Sequence, residues 1–171
     1  MENSVTKTLI IIRHAKSDWS TGAADFERPL LARGGRDAYA VGSVLAPYDI
    51  DLVWCSAAVR ARQTWEEACA GGALAHRVEY RESLYGTSPD LIALGMRTLD
   101  ESVSTLALVN HEPTVSGLVG MLAQPSILAS EVAYHFPTAG VAILTMSGPW
   151  QTLQAHDMTL VSFQKVRAKT G

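Results

Sequence analysis

Unbroken apolar runs, rather than alternating ones, set the pattern of this chain. Leu9-Ile10-Ile11-Ile12 and Leu106-Ala107-Leu108-Val109 are bounded by polar residues, as expected of strands buried on both faces of a parallel sheet. They predict strands over 8–12 and 105–109. Leu52-Val53-Trp54-Cys55 marks another over 51–55, and Arg77-Val78-Glu79-Tyr80 a short one over 77–80. Between them lie helical signals. Leu31, Ala38, Val41 and Leu45 recur at the spacing of an apolar face over 31–45, which Pro47 ends. Residues 57–70 read as a helix closed by Gly71-Gly72, and Ser88 or Pro89 opens another that runs to about 99. Pro113 suits the first turn of a helix that continues to 122. The signal from 123 to 138 is weak and reads as loop. Residues 140–146 and 151–156 read as two strands joined through Gly148-Pro149 as a hairpin.

Strands alternating with helices predict a three-layer α/β/α sandwich with a mostly parallel central sheet. The 171 residues fit one domain, with its core at about 8–157, and no repeat or linker divides them. A net charge of −3 offers no footprint for nucleic acid or an anionic membrane. The N-terminus lacks a signal-peptide layout, and no apolar stretch is long enough to span a bilayer. Cys55 and Cys69 fit free thiols of a cytoplasmic protein better than a disulfide framework, and their spacing is no zinc motif. His76, His135 and His156 share no ligand spacing, so no metal is expected. Gly34-Gly35 lacks the lysine and hydroxyl residue of a phosphate-binding loop. Oligomeric state leaves no mark.

The chemistry gathers at strand ends. In open α/β sheets the ligand crevice lies beyond the carboxyl ends of the strands. The first strand delivers Arg13 and His14 there, the second Ser56 and Arg60, the fourth Asn110 and His111. Two guanidiniums and two imidazoles suit phosphoryl transfer without a metal. The arginines bind phosphate oxygens and balance the charge that develops on them. Their positive charge also keeps an imidazole neutral, with a lone pair free for attack.

Arg13-His14-Ala15, Cys55-Ser56-Ala57-Ala58-Val59-Arg60-Ala61-Arg62-Gln63-Thr64 and Leu108-Val109-Asn110-His111-Glu112-Pro113 resemble, in order, the signatures of the histidine phosphatase superfamily. The short length and the string Arg13-His14-Ala15-Lys16-Ser17-Asp18-Trp19 look most like its compact SixA-type phosphohistidine phosphatase branch. The resemblance implies a phosphoglycerate mutase-like fold and a covalent phosphohistidine on His14. Arg13 and Arg60 would hold the phosphate, with His111 completing the pocket and Ser17 lining it. The motif count selects Arg60 over Arg62, which would face outward. Glu82 in Glu82-Ser83-Leu84-Tyr85-Gly86 matches the segment that supplies the general acid in mutase-like members. Asp18 competes for that role, and Glu82 could equally be an ordinary exposed turn residue. Three positions depart from the usual pattern: Ala15 and Asn110 stand where glycine is common, and Ala57 where proline is frequent. Asn110 would add a donor beside the pocket.

These features predict a metal-independent phosphatase that needs no cofactor and acts on a phosphorylated protein carrying phosphohistidine. A small phosphoester is the alternative substrate. A non-catalytic phospholigand-binding module is the alternative of another class, disfavoured by the intact set of His14, Arg13, Arg60 and His111.

Overall fold

Successive residues of the first strand face opposite helical layers, which explains why its apolar run is unbroken. In the computed structural model, residues 5–169 are described. Strand β1 (Thr6–Arg13) lies inside a six-stranded sheet that also contains β2 (Ile50–Ser56), β3 (Ala75–Arg81), β4 (Thr105–Asn110), β5 (Gly140–Ser147) and β6 (Thr159–Lys165). The order is β3-β2-β4-β1-β5-β6. The first four strands run parallel, while β5 is antiparallel to both β1 and β6. The sheet is therefore mixed but mostly parallel, as expected.

Among the described residues, five α-helices cover it: α1 (Ala32–Leu45), α2 (Val59–Ala70), α3 (Pro89–Met96), α4 (Thr114–Leu122) and α5 (Ile127–Tyr134). Leu9 and Ile11 join Trp54, Leu106, Leu108 and the α3, α4 and α5 side chains in one core. Ile10 and Ile12 join Val53, Ala107, Val109 and the α1 and α2 side chains in the other. Burying such residues from water is the main favourable term in this fold.

The predicted elements stand with local changes. Ser88 caps α3 with its Oγ on the Leu91 N–H, and Pro89 takes the first helical position. Pro113 precedes α4 as its cap instead of sitting in its first turn. The stretch expected to be loop holds α5, capped by Ser126 on the Ala129 N–H at 3.0 Å. Residues 151–156 form no strand. Trp150 is fully buried there and its indole N–H donates to the Val103 carbonyl at 2.6 Å, so the chain makes a 3-10 turn over the core. The partner of β5 is instead β6, and Val166 still packs in the core, which thus reaches past residue 157.

One close approach positions the loop after β1. The Leu31 N–H donates to the Lys16 carbonyl at 2.9 Å, and a Cβ on Gly34 would lie 2.1 Å from that same oxygen. Only glycine lets α1 start against this loop. Gly35, one residue on, faces open space. Urea unfolding should therefore separate two neighbouring substitutions. Gly34→Ala is expected to cost about 1–3 kcal/mol from overpacking against backbone. Gly35→Ala is expected to be neutral or to stabilise by up to about 1 kcal/mol through helix propensity.

Candidate active site

Arg13 ends β1, and the chain turns so that His14 is buried, 6% exposed, at the sheet's carboxyl edge. Its backbone N–H donates to the Asn110 carbonyl at the end of β4. Its ring Nδ1 lies 2.7 Å from the Ala15 carbonyl oxygen. A carbonyl only accepts, so Nδ1 carries the proton and Nε2 keeps the lone pair. That lone pair faces Arg60, whose Nε–H donates to it at 3.4 Å. His111 completes a pair of imidazoles, with ring centroids 5.0 Å apart.

Each partner is fixed from below. Arg60 lies on the first turn of α2, and its backbone carbonyl accepts from the Thr64 hydroxyl, which in turn accepts from the Ala15 N–H. The His111 Nε2 and the Ser56 Oγ are hydrogen-bonded at 2.8 Å. The Asn110 side-chain oxygen accepts from the His111 N–H. Arg13 sends Nη1 to the Phe136 carbonyl at 2.9 Å. Arg13 Nε, Asn110 Nδ2 and His111 Nδ1 are buried without a protein partner among the described residues. Such groups are costly unless a ligand or water uses them, so their clustering here marks a place for a polar ligand.

Burial is the first cause that holds both imidazoles neutral. It pushes the His14 pKa down to about 3, and His111, Arg60 and Arg13 lower it further against the Ala15 hydrogen bond. His111 is lowered to about 4, again by burial first and by Arg60 next. The neighbouring cations named from the sequence thus act in the expected direction but second to desolvation.

The sequence reading missed a carboxylate. Asp25 sits in a 3-10 turn (Asp25–Glu27) of the loop between β1 and α1. It accepts from Arg28 Nη1 at 2.5 Å, from Arg60 Nη2 at 3.1 Å and from the Tyr85 hydroxyl. Arg60 Nη1 also donates to its backbone carbonyl at 2.6 Å. Tyr85 first, then Arg28 and Arg60, hold this carboxyl well below the usual carboxylate range. Arg28 is a third guanidinium, buried with Nε on the Ser17 hydroxyl at 3.0 Å and stacked 3.6 Å from the Trp19 ring. Tyr85 meets the His111 ring edge-on. The available signal was the spacing Asp25-x-x-Arg28 in a polar stretch that the sequence otherwise left blank.

Residues 9–91 match the model of the histidine phosphatase superfamily (branch 1). A protein of uncharacterised function from Mycobacterium tuberculosis is 37% identical over 167 residues, which are 91% of this chain and all of that one. A structure from Nakamurella multipartitia, described provisionally as the phosphohistidine phosphatase SixA, superposes with a TM-score of 0.81. It is 31% identical and covers 94% of this chain and 96% of its own. The chain belongs to the histidine phosphatase superfamily, and it is of SixA type. A counterpart from Agrobacterium tumefaciens, described in the same provisional way, gives a TM-score of 0.77 at 25% identity, over 93% of this chain and 97% of its own.

Within that superfamily frame, the predicted residues divide. His14, Arg13, Arg60, His111 and Asn110 converge at one edge, and Ser17 reaches the cluster through Arg28. Arg62 faces outward over the Tyr80 ring, as expected. Neither proposed acid joins them. Asp18 is half-buried and spends its carboxylate on the Ser20 N–H and hydroxyl. Glu82 opens an exposed turn, and its side chain has no hydrogen bond or ion pair among the described residues.

Two predictions follow from these contacts. Imidazole NMR should show His14 and His111 still neutral as pH falls through 6.5, with protonation only near 4 and below. Because the unfolded chain binds those protons first, stability should fall as pH drops from about 6.5 to about 3; titration near 6.5 would contradict the assignment. An anion entering between Arg60 and Arg28 must displace Asp25. Asp25→Asn should therefore tighten inorganic phosphate in calorimetry by about tenfold, or 1.4 kcal/mol. Unchanged or weaker binding by a folded variant would count against this competition.

Proposed function

We propose that this protein is a metal-independent, cytoplasmic phosphatase that removes phosphate from phosphohistidine on a protein, through a covalent intermediate on His14. The observation that carries the reading is the lone pair of His14 Nε2, turned toward Arg60 by the Nδ1 hydrogen bond to Ala15. In the first step Nε2 attacks phosphorus in line. The phosphorus–nitrogen bond of the substrate breaks, and its imidazole leaves with a proton on the ring. Arg13 and Arg60 hold the phosphoryl oxygens, with Arg28, His111 and the Asn110 amide within the same pocket wall. In the second step water attacks phosphorus, releasing phosphate and regenerating neutral His14. Splitting one displacement into two lowers each barrier.

The choice of a phosphoramidate over an ester has its own support. An alkoxide leaving group needs a positioned acid, whereas an imidazole can depart already protonated. Glu82 is exposed and unpartnered, Asp18 is spent on Ser20, and Asp25 is held ionised. The likeness to proteins described provisionally as phosphohistidine phosphatases points the same way. Tyr85 and the half-exposed Asp25 leave the mouth accessible to a bulky substrate. Two free cysteines fit a reducing compartment, and no helix among the described residues is long and apolar enough to cross a membrane.

The test is phosphate release from a histidine-phosphorylated protein and from a panel of small phosphoesters, with wild type beside His14→Ala. Turnover of the phosphoprotein, reduced at least about a thousandfold in the variant, with label trapped on wild-type His14 after acid-free quenching, is expected. Preference for one ester would move the substrate to small molecules. Turnover unaffected by His14→Ala, or binding without turnover, would remove the catalytic role.

A further inference from the structure

Lys16, Arg33, Arg36, Lys165, Arg167 and Lys169 gather on one surface of a chain whose net charge is −3. They are six of its fourteen lysines and arginines. A hollow of about 750 Å³ is bordered by Arg36, Tyr39, Lys165, Arg167 and Lys169. A second, of about 450 Å³, is bordered by Lys16, Arg33, Asp37 and Arg167, so the two share Arg167. Asp37 answers only part of this charge, accepting from the Ala168 N–H and lying 3.9 Å from Arg167. The other five cations form no ion pair among the described residues. On the far side, Arg36 borders a hollow that also contains Glu66 and Glu67, which bounds the patch.

Topology puts this surface beside His14. β6 runs parallel to β1 with only β5 between them, so Lys165 ends at the same sheet edge as Arg13, about 10 Å away by strand spacing. The Ala139 N–H donates to the carbonyls of Arg13 and His14, and the Val166 N–H to the Ala139 carbonyl. Lys16 is two residues past His14, and its carbonyl anchors the start of α1. Arg33 and Arg36 occupy the opening of that helix, whose first turn holds no acidic residue. Cations there oppose the helix dipole, so helix stability does not explain them.

We infer that this patch docks the acidic face of the protein that carries the phosphohistidine, and so sets which phosphoproteins are substrates. The inference rests on the phosphohistidine reading above. A small phosphoester or free phosphohistidine occupies the His14 pocket and cannot also span both hollows. A nucleic acid fits poorly: the patch with Asp37 sums to +5, leaving −8 on the rest of a chain that totals −3. A long polyanion leaving the patch would meet that negative surface, whereas a compact acidic protein face would not. Charge complementarity of this kind acts on encounter and selection.

The experiment compares wild type with R33E/R36E/K165E. These residues touch none of the His14 machinery, and glutamate suits the start of α1. Turnover is measured on one phosphohistidine peptide flanked by aspartate and glutamate, on the same phosphohistidine flanked by lysine, and on phosphoramidate. We expect kcat/KM on the acidic peptide to fall about tenfold or more in the variant and in wild type at high salt. Phosphoramidate turnover should be unchanged, which also reports an intact fold. Equal wild-type rates on both peptides, or no loss in the variant, would overturn the docking role and leave the phosphohistidine reading standing. Wild type that hydrolyses esters but neither peptide would overturn both. A single-stranded RNA oligonucleotide that binds wild type and not the variant, with peptide turnover unaffected, would reassign the patch and overturn the inference.

Discussion

Burial of β1 on both faces is the constraint from which the rest of the architecture follows. The run from Leu9 to Ile12 is sheathed on both faces, and the chain turns polar directly after it, at Arg13 and His14 on the sheet's carboxyl edge. Pairing with β4 on one side and β5 on the other leaves that end little freedom. The register that aligns Arg13 with Asn110 is also the one that brings His111 beside His14. Slipping either strand by one residue would exchange its two core faces throughout. The side chains gathered at this edge thus inherit their placement from apolar packing far larger than themselves.

A second level of organisation comes from short polar links between the loop and the helices. Thr64 joins Arg60 to the backbone of Ala15, and Gln63 accepts from the Leu30 N–H. Neighbouring residues of α2 therefore hold both ends of the loop that carries Ser17, Asp25 and Arg28. This coupling ties His14, the guanidiniums and the carboxylate between them into one hydrogen-bonded group. Precise placement of this kind is where much of an enzyme's rate enhancement resides.

Most of the fold was legible because its strongest signals are local. The apolar runs of β1, β2 and β4, the Ser88-Pro89 start of α3 and the strand-end polar residues all announce themselves within a few positions. The failures share a physical cause: they depend on partners distant in sequence. Residues 151–156 carry strand-like character, but the burial of Trp150 against Val103 overrides it. The edge strand β6 has one face exposed, so its apolar pattern is diluted. Within the site, His14, Arg13, Arg60, Asn110 and His111 could be named from motifs. Asp25 could not, since its meaning lies in contacts with Arg60, thirty-five residues on, and with Tyr85, sixty residues on. The carboxylates that sequence did nominate, Glu82 and Asp18, have the right chemistry and neighbouring positions but the wrong surroundings.

The Asp25 clasp makes the pocket resemble an ion-exchange resin already loaded with its counter-ion. Three guanidiniums without an anion would attract any small anion in the cell, and abundant monoanions would foul them by mass action. With a carboxylate tethered in place at high effective concentration, only an incoming group that offers more charge and more acceptor oxygens gains by the exchange. A phosphoryl dianion does; chloride does not. On the proposed reading, selectivity for phosphate would arise from the difference between two bound states, and the same arginines could be strongly basic without being indiscriminate.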